Sequence, residues 1–456
     1  MSAHATKVRK PYQKTHKHQA RPPFECIALL LQGGGALGAY QAGVYEALSE
    51  AQIYPDWVAG ISIGAINSAL IAGNPPEARL GKLRAFWERV STPLNCSGTG
   101  WLAASGKGTP MHDLFDLAAG SAAWIGAMGL SFMSGQPQDS HANSLHGVWE
   151  NFRANARSMW PPELIAMRGD LARGLMNQMS AASALARGAG GFFTPRMPQP
   201  WLQPDGSLEA TSYYDSAPLK ATLEELVDFD RINAGETHFS VGAVNVITGN
   251  FVYFDNATHT IKPEHVMASG ALPPGFPAIE IDGEHYWDGG LVTNTPLQWV
   301  LESEPRRDTL AFQVDLWSAR GALPGNLAEV ATRQKEIQYS SRTRANSDRF
   351  RNIQRIRHAL SKLLQTLPEE LRNSPEFATL QPAADHRVYN LVQLIYRSRH
   401  YEGHSKDYEF SQRSMEDHWR AGYHDTVRTL RHPEVLQRPV NNEGVLTFDL
   451  AQDGRE

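Results

Sequence analysis

The first sustained apolar run in the chain is Ile27, Ala28, Leu29, Leu30 and Leu31, which follows a polar, basic N-terminus and stops at a cluster of glycines. Unbroken apolar character over so short a run predicts a strand buried on both faces, as in parallel sheets. A helix over 36–51 is expected next, with Ala39, Ala42, Gly43 and Ala47 small enough to let it lie close to a sheet. A second apolar run at 57–61 completes a βαβ opening, and 65–71 reads as the helix that leaves it. Regular patterning returns as a helix at 219–227 and strands at 238–246 and 250–254, joined around Thr248-Gly249. A second hairpin is predicted from strands at 278–281 and 284–287, because Asp282-Gly283 between short strands is a strong turn signal. The last core strand is expected at 310–316.

Two regions break this α/β rhythm. From 97 to 204 the chain is rich in Gly, Ala, Met and Trp with weak periodicity, and it reads as an inserted cap. Trp101, Trp124, Met128, Met133, Trp160, Met167, Met176 and Met179 lie within it. Such side chains adapt to an irregular apolar ligand, although each one alone reads equally well as a core residue. From 319 the character turns to charged helical stretches at 327–367, a strand-like segment at 388–396 and a polar helix at 414–430. With 456 residues, the chain is too long for one ordinary domain. The expected division is a basic arm (1–24), an α/β domain (25–318) carrying the cap, and a mainly helical C-terminal extension (319–456).

Composition narrows the function classes. A net charge of -5 leaves no basic surplus for bulk nucleic acid, which is excluded as a partner on that ground. Only Cys26 and Cys96 are present, and Cys26 adjoins the first apolar run, so a disulfide framework is not expected and a reducing, cytoplasmic setting fits. Lys7, Arg9, Lys10, Lys14, Lys17 and Arg21 precede the first acid, Glu25, with no apolar stretch after them to make a secretory signal. The arm reads as a disordered, solvated tail; peripheral contact with an anionic membrane is the sharper reading, at about 1 kcal/mol per basic residue. The uncharged stretch at 117–133 is diluted by Gly120, Ser121, Gly126, Gly129 and Ser131, too polar for a membrane span.

Three constellations carry chemistry. Gly60-Ile61-Ser62-Ile63-Gly64 lies between a predicted strand and a predicted helix. There a serine on a sharp turn projects from the end of the sheet, and Gly60 and Gly64 leave room for the turn. The motif alone is common by chance; its strand-to-helix setting gives it weight. Gln32-Gly33-Gly34-Gly35-Ala36-Leu37-Gly38 also joins a strand to a helix, where unhindered N–H groups can converge on an anion. The same glycines fit a dinucleotide-binding loop, which needs an acid at the far end of the second strand; Asp56 precedes that strand. Asp288-Gly289-Gly290 leaves the second hairpin, where a carboxylate flanked by glycines can approach a hydroxyl and take its proton. Alone it reads as a turn.

The three motifs, in this order, resemble those of the patatin-like phospholipase family, as do Ala65-Ile66-Asn67 and the segment from Ala268 to Pro277. The resemblance spans 24–318. It implies a three-layer α/β/α sandwich with a mostly parallel central sheet. It also implies a serine lipid acyl hydrolase acting through a Ser62–Asp288 dyad, with an oxyanion hole at Gly33, Gly34 and Gly35. The substrate would be a lipid or other carboxylic ester, and no cofactor or metal is implied. The chain departs from the family at Leu37, often Arg or Lys there, and at Gln32, often Asp. Two competing readings stand beside this one. A Ser-His-Asp hydrolase would draw on His386, His400, His404, His418 or His424, and a non-catalytic lipid-binding protein would use Ser62 only to turn the chain.

Overall fold

The computed structural model describes residues 13–17, 20–91, 170–340, 343–441 and 443–450. Among the described residues nine strands form one sheet. In chain order they are β1 (Cys26–Leu31), β2 (Trp57–Gly60), β5 (His238–Asn245), β6 (Phe251–Asp255), β7 (Ile279–Ile281), β8 (Glu284–Asp288), β9 (Thr309–Asp315), β10 (Tyr389–Ile395) and β11 (Val445–Phe448). A separate two-stranded ladder joins β3 (Thr194–Pro195) to β4 (Tyr214–Asp215). The sheet runs β11-β10-β9-β1-β2-β5-β8-β7, with β6 also on β5. Every pairing from β11 through to β5 is parallel, and those among β5, β6, β7 and β8 are antiparallel.

β1 is apolar throughout because both of its faces are covered. Ile27, Leu29 and Leu31 enter one core with α1 (Ala39–Glu50), α2 (Ile63–Ala72) and α3 (Pro76–Val90). Cys26, Ala28 and Leu30 enter a second core on the opposite face, with Leu297, Val300 and Leu301 of the helix Leu297–Glu302 and Phe350 of the helix Thr343–Thr366. Helices on both faces of a mostly parallel sheet make the three-layer α/β/α sandwich expected.

Four local features depart from expectation. The helix expected from 36 begins at Ala39 after a 3-10 turn, Gly35–Gly38, because Gly35 has φ 56°, outside the helical region. The charged stretch at 327–367 is two helices, Leu327–Tyr339 and Thr343–Thr366. β11 and α3 were not anticipated. Within the expected arm, Gln13 N–H donates to Arg431 O at 3.0 Å and the buried His16 ring reaches Glu50 at 2.9 Å, so this stretch is docked rather than a free tail.

The segment after 318 is mainly helical but is no appendage. It supplies β10 and β11 to the sheet, and its helix Gln412–Leu430 packs along α1. A glycine on each helix serves this contact: a methyl at Gly43 would come within 1.9 Å of Trp419 O, and one at Gly422 within 2.0 Å of Tyr40 O. Most of the expected cap, 97–169, and Cys96 lie outside the described residues; the rest includes the helix Asp170–Arg187 and β3. No described helix is long and apolar enough to cross a membrane.

If α1 and the C-terminal helix touch at backbone distance, Gly422→Ala destabilises the protein by about 1–3 kcal/mol through overpacking. Urea unfolding should show a lower midpoint at unchanged slope; wild-type stability would mean the helices are farther apart.

Candidate active site

Ser62 stands where β2 ends and α2 begins, with φ 55° and ψ −123°. A non-glycine residue held there stores on the order of 1–3 kcal/mol of strain, which the surrounding packing must offset. The flanking glycines make the turn sterically possible. A methyl at Gly60 would fall 2.2 Å from Gly64 O, and one at Gly64 would fall 2.2 Å from Leu31 O. The Ser62 N–H donates to the buried Ser269 Oγ at 3.0 Å, which fixes the elbow from the helix Pro263–Ser269.

Asp288 reaches the same place from the other hairpin, at the end of β8. Its N–H donates to Ala271 O at 3.0 Å, and its Oδ1 accepts the Gly290 N–H at 2.7 Å. Ser269 and Ala271 both belong to the segment 268–277, so one stretch of chain holds both the elbow and the aspartate. Gly289 passes under the elbow, where a methyl would meet Gly242 O at 2.5 Å and Ile61 at 3.2 Å.

Asp288 is only 2% exposed, and its carboxylate lies beside the Ser62 side chain. Burial pushes its pKa up to about 7, because the charged form has lost its water, while the Ser62 side chain and the Gly290 N–H pull the other way. A carboxylate of that basicity, in contact with a hydroxyl, can exchange a proton with it near neutral pH.

The glycine loop lies against this pair. A methyl at Gly33 would sit 3.0 Å from Ser62 Cβ and 2.4 Å from Asn294 Oδ1. Gly33 N–H donates to Asn294 O at 3.4 Å, whereas the partly exposed Gly34 and Gly35 have no N–H partner among the described residues. Gly33 is therefore the least available of the three expected donors, and the free N–H groups are those of Gly34 and Gly35.

The alternatives find less support. Asp56 accepts the Ile27 N–H at 2.7 Å and pairs with Arg21, at the opposite end of the sheet from the glycine loop, so it holds no ribose there. Of the late histidines, His418 is held by Glu402 at 3.0 Å, and among the described residues no hydrogen bond or ion pair joins any of the five to Ser62 or Asp288. Among the described residues no group of three His, Cys, Asp or Glu side chains is placed to hold a metal.

Residues 29–300, more than half of the chain, match the family profile described as patatin-like phospholipase. The chain belongs to that family. A second profile, described as patatin phospholipase, matches residues 337–442 of this patatin-like chain, within the C-terminal segment. A lysophospholipase of Aspergillus terreus is 54% identical over 78 residues, 17% of this chain and 5% of that protein. A triacylglycerol lipase of Arabidopsis thaliana is 39% identical over 54 residues, 12% of this chain and 7% of that protein. The matches therefore span a small fraction of those relatives' lengths. Among solved structures, VipD from Legionella pneumophila aligns with 98% of this chain and 77% of its own at 14% identity and TM-score 0.33.

Sequence reasoning missed four contributors to this site: Ser269, Asn294, Trp317, whose Nε1–H donates to Gly33 O at 3.0 Å, and the side chain of Gln32, whose Oε1 accepts the Leu316 and Trp317 N–H groups. Ser269 lay inside a segment already singled out, and Gln32 at a noted departure from the family. Asn294 and Trp317 had no local signal, since their partners are distant in sequence.

The raised pKa makes Asp288 a liability to the fold. From pH about 4 to 7 the unfolded chain gives up this proton while the folded protein keeps it, so folding loses stability as pH rises through that window. The loss, up to about 4 kcal/mol, remains above pH 7. Asp288→Asn escapes it. The variant should be more stable than wild type at pH 8 by denaturant unfolding, with the gap closing towards pH 4; equal stability at both pH values would mean the carboxylate is not so perturbed.

Proposed function

We propose that this protein is a serine lipid acyl hydrolase that cleaves fatty-acyl esters through Ser62 and Asp288. The observation that carries the reading is the meeting, at the end of the sheet, of a serine on a strained elbow and a buried carboxylate beside its side chain, whose pKa is raised to about 7. Asp288 accepts the Ser62 proton as Oγ attacks the ester carbonyl. The tetrahedral oxyanion is held by the N–H groups of the glycine loop, principally Gly34 and Gly35. Collapse expels the alcohol, which takes the proton back from Asp288, and leaves an acyl group on Ser62. Water, deprotonated by Asp288, then releases the fatty acid and restores the serine. No step calls for a cofactor.

Family membership and the activities for which the relatives are named, a lysophospholipase and a triacylglycerol lipase, support a lipid ester as the substrate class. The described part of the expected cap exposes Met176, Met179, Met197, Trp201 and Leu202. Apolar side chains of this kind suit an acyl chain or the surface of a lipid aggregate, and we place peripheral membrane contact here.

The test is fatty-acid release from a panel of phospholipids, acylglycerols and short p-nitrophenyl esters. Ser62→Ala should lower kcat by about 10⁴-fold or more, and Asp288→Asn by at least about 10³-fold. Wild-type turnover in Asp288→Asn would remove the dyad. Because only the ionised carboxylate can take the proton, kcat/KM should rise about tenfold per pH unit below the pKa of about 7 and level off above it. A profile flat from pH 5 to 8 would remove Asp288 as the base.

A further inference from the structure

The glycine loop has the freedom to turn its peptide planes either way, yet an oxyanion hole needs its N–H groups aimed at one point before the substrate arrives. Gly33 O and Gly34 N–H belong to the same trans peptide, so they point in opposite directions. Whatever holds Gly33 O also aims Gly34 N–H. Two donors hold it: Trp317 Nε1–H at 3.0 Å and Asn294 Nδ2–H at 3.1 Å. The neighbouring planes are fixed as well. Gly34 O accepts the Leu37 N–H at 3.2 Å, which aims Gly35 N–H, and the Ala36 N–H is taken by Asp407 O at 2.7 Å.

Both donors are themselves held. Gln32 Oε1 accepts the Leu316 and Trp317 backbone N–H groups at 2.6 and 3.0 Å, which fixes the chain that carries the indole. The indole has Lys335 Nζ 5.8 Å from its ring centroid, Lys406 Nζ at 5.1 Å and the Tyr339 ring at 5.6 Å. The ammonium groups are fixed in turn by Asp407 and Glu336, each at 2.6 Å. Asn294 Nδ2–H also donates to Tyr339 O at 2.8 Å, and Gln32 Nε2–H reaches the same carbonyl at 3.2 Å. An ionised Asp at 32 would have no donor for that carbonyl.

We propose that Trp317 and Asn294 are positioning residues that lock the Gly33–Gly34 peptide with its N–H presented to the oxyanion, and that the segment after 318 braces this lock. The inference rests on the hydrolase reading. It predicts a loss confined to the steps where negative charge develops on the carbonyl oxygen, with little effect on substrate capture.

Trp317→Phe removes the N–H and keeps an aromatic ring beside the lysines; Asn294→Ala removes the second donor. Wild type and both variants are compared by kcat and KM on a short p-nitrophenyl ester, by burst amplitude as the fraction of competent sites, and by the rate of labelling with a fluorophosphonate, whose phosphoryl oxygen occupies the same hole. Trp317→Phe should lower kcat and the labelling rate together by about tenfold or more, with KM within about twofold and burst amplitude unchanged. Asn294→Ala should move the same two quantities if Trp317→Phe proves too unstable to read. Wild-type kcat and labelling in both variants would overturn the lock, as would a fall in burst amplitude that accounts for the whole loss. Failure of wild type itself to label at Ser62 would overturn the hydrolase reading and this inference with it.

Discussion

One edge of β5 sets the whole site. β2 pairs in parallel with its first half, Gly60 opposite Val241, and β8 pairs antiparallel with its second half, Asp288 opposite Ala243. β6 overlaps both stretches, from Ser240 to Val244, and so occupies the other edge. β8 therefore enters the place that β2 vacates when the chain turns at the elbow. Positions 241 and 243 are two residues apart on one strand, which brings the two chain ends together at the serine and the aspartate. A slip of one residue in the pairing of β8 with β5 would turn the aspartate to the other face of the sheet, and a slip of β2 would displace the elbow instead. Side-chain alternation thus makes β5 a ruler for the chemistry, and tight packing at Gly242 and Gly289 holds the register.

The elbow and the carboxylate both work against stability. Ser62 is held at a backbone angle that favours glycine, and Asp288 is buried away from water with no cationic partner among the groups that perturb it. A lysine or arginine beside Asp288 would relieve its burial, but would lower its pKa and with it the basicity on which proton transfer depends. The strain is borne by the packing at the elbow, where a methyl on Gly60 or Gly64 would meet backbone at 2.2 Å and Ser269 takes the Ser62 N–H. The elbow glycines and Ser269 are thus packed closely around a residue that does no packing work itself.

Local chemistry made much of this legible beforehand. β1, β2, the elbow and the Asp282-Gly283 hairpin each rest on neighbours in sequence: an unbroken apolar run, a glycine flank, or a turn needing positive φ, which Asp282 and Gly283 both adopt at 52° and 83°. The motifs therefore pointed to Ser62 and Asp288 without the fold. What the sequence could not convey was distance in space. The register on β5, the docking of His16 against Glu50, and the joining of β10 and β11 to the sheet depend on partners tens to hundreds of residues away. The division of labour among Gly33, Gly34 and Gly35 was equally hidden, because it turns on which N–H is already used by Asn294.

The C-terminal segment shows why a boundary drawn where composition changes need not be a boundary in structure. Its charge and helical patterning differ from those of the α/β domain, yet β10 pairs with β9 along the full length of both strands, and β9 leads directly into Leu316 and Trp317 beside the glycine loop. Asp407 O lies where a methyl on Gly35 would be, at 2.1 Å, so side chains are excluded from that position by a residue 372 positions later. Gln32 follows the same logic. At the end of β1 it receives two N–H groups from the exit of β9 and donates to Thr295 and Tyr339, a pattern that needs both an acceptor and a donor on one side chain. An amide supplies both, and a carboxylate does not, so Gln32 ties the exit of β9 to Tyr339 of the C-terminal segment.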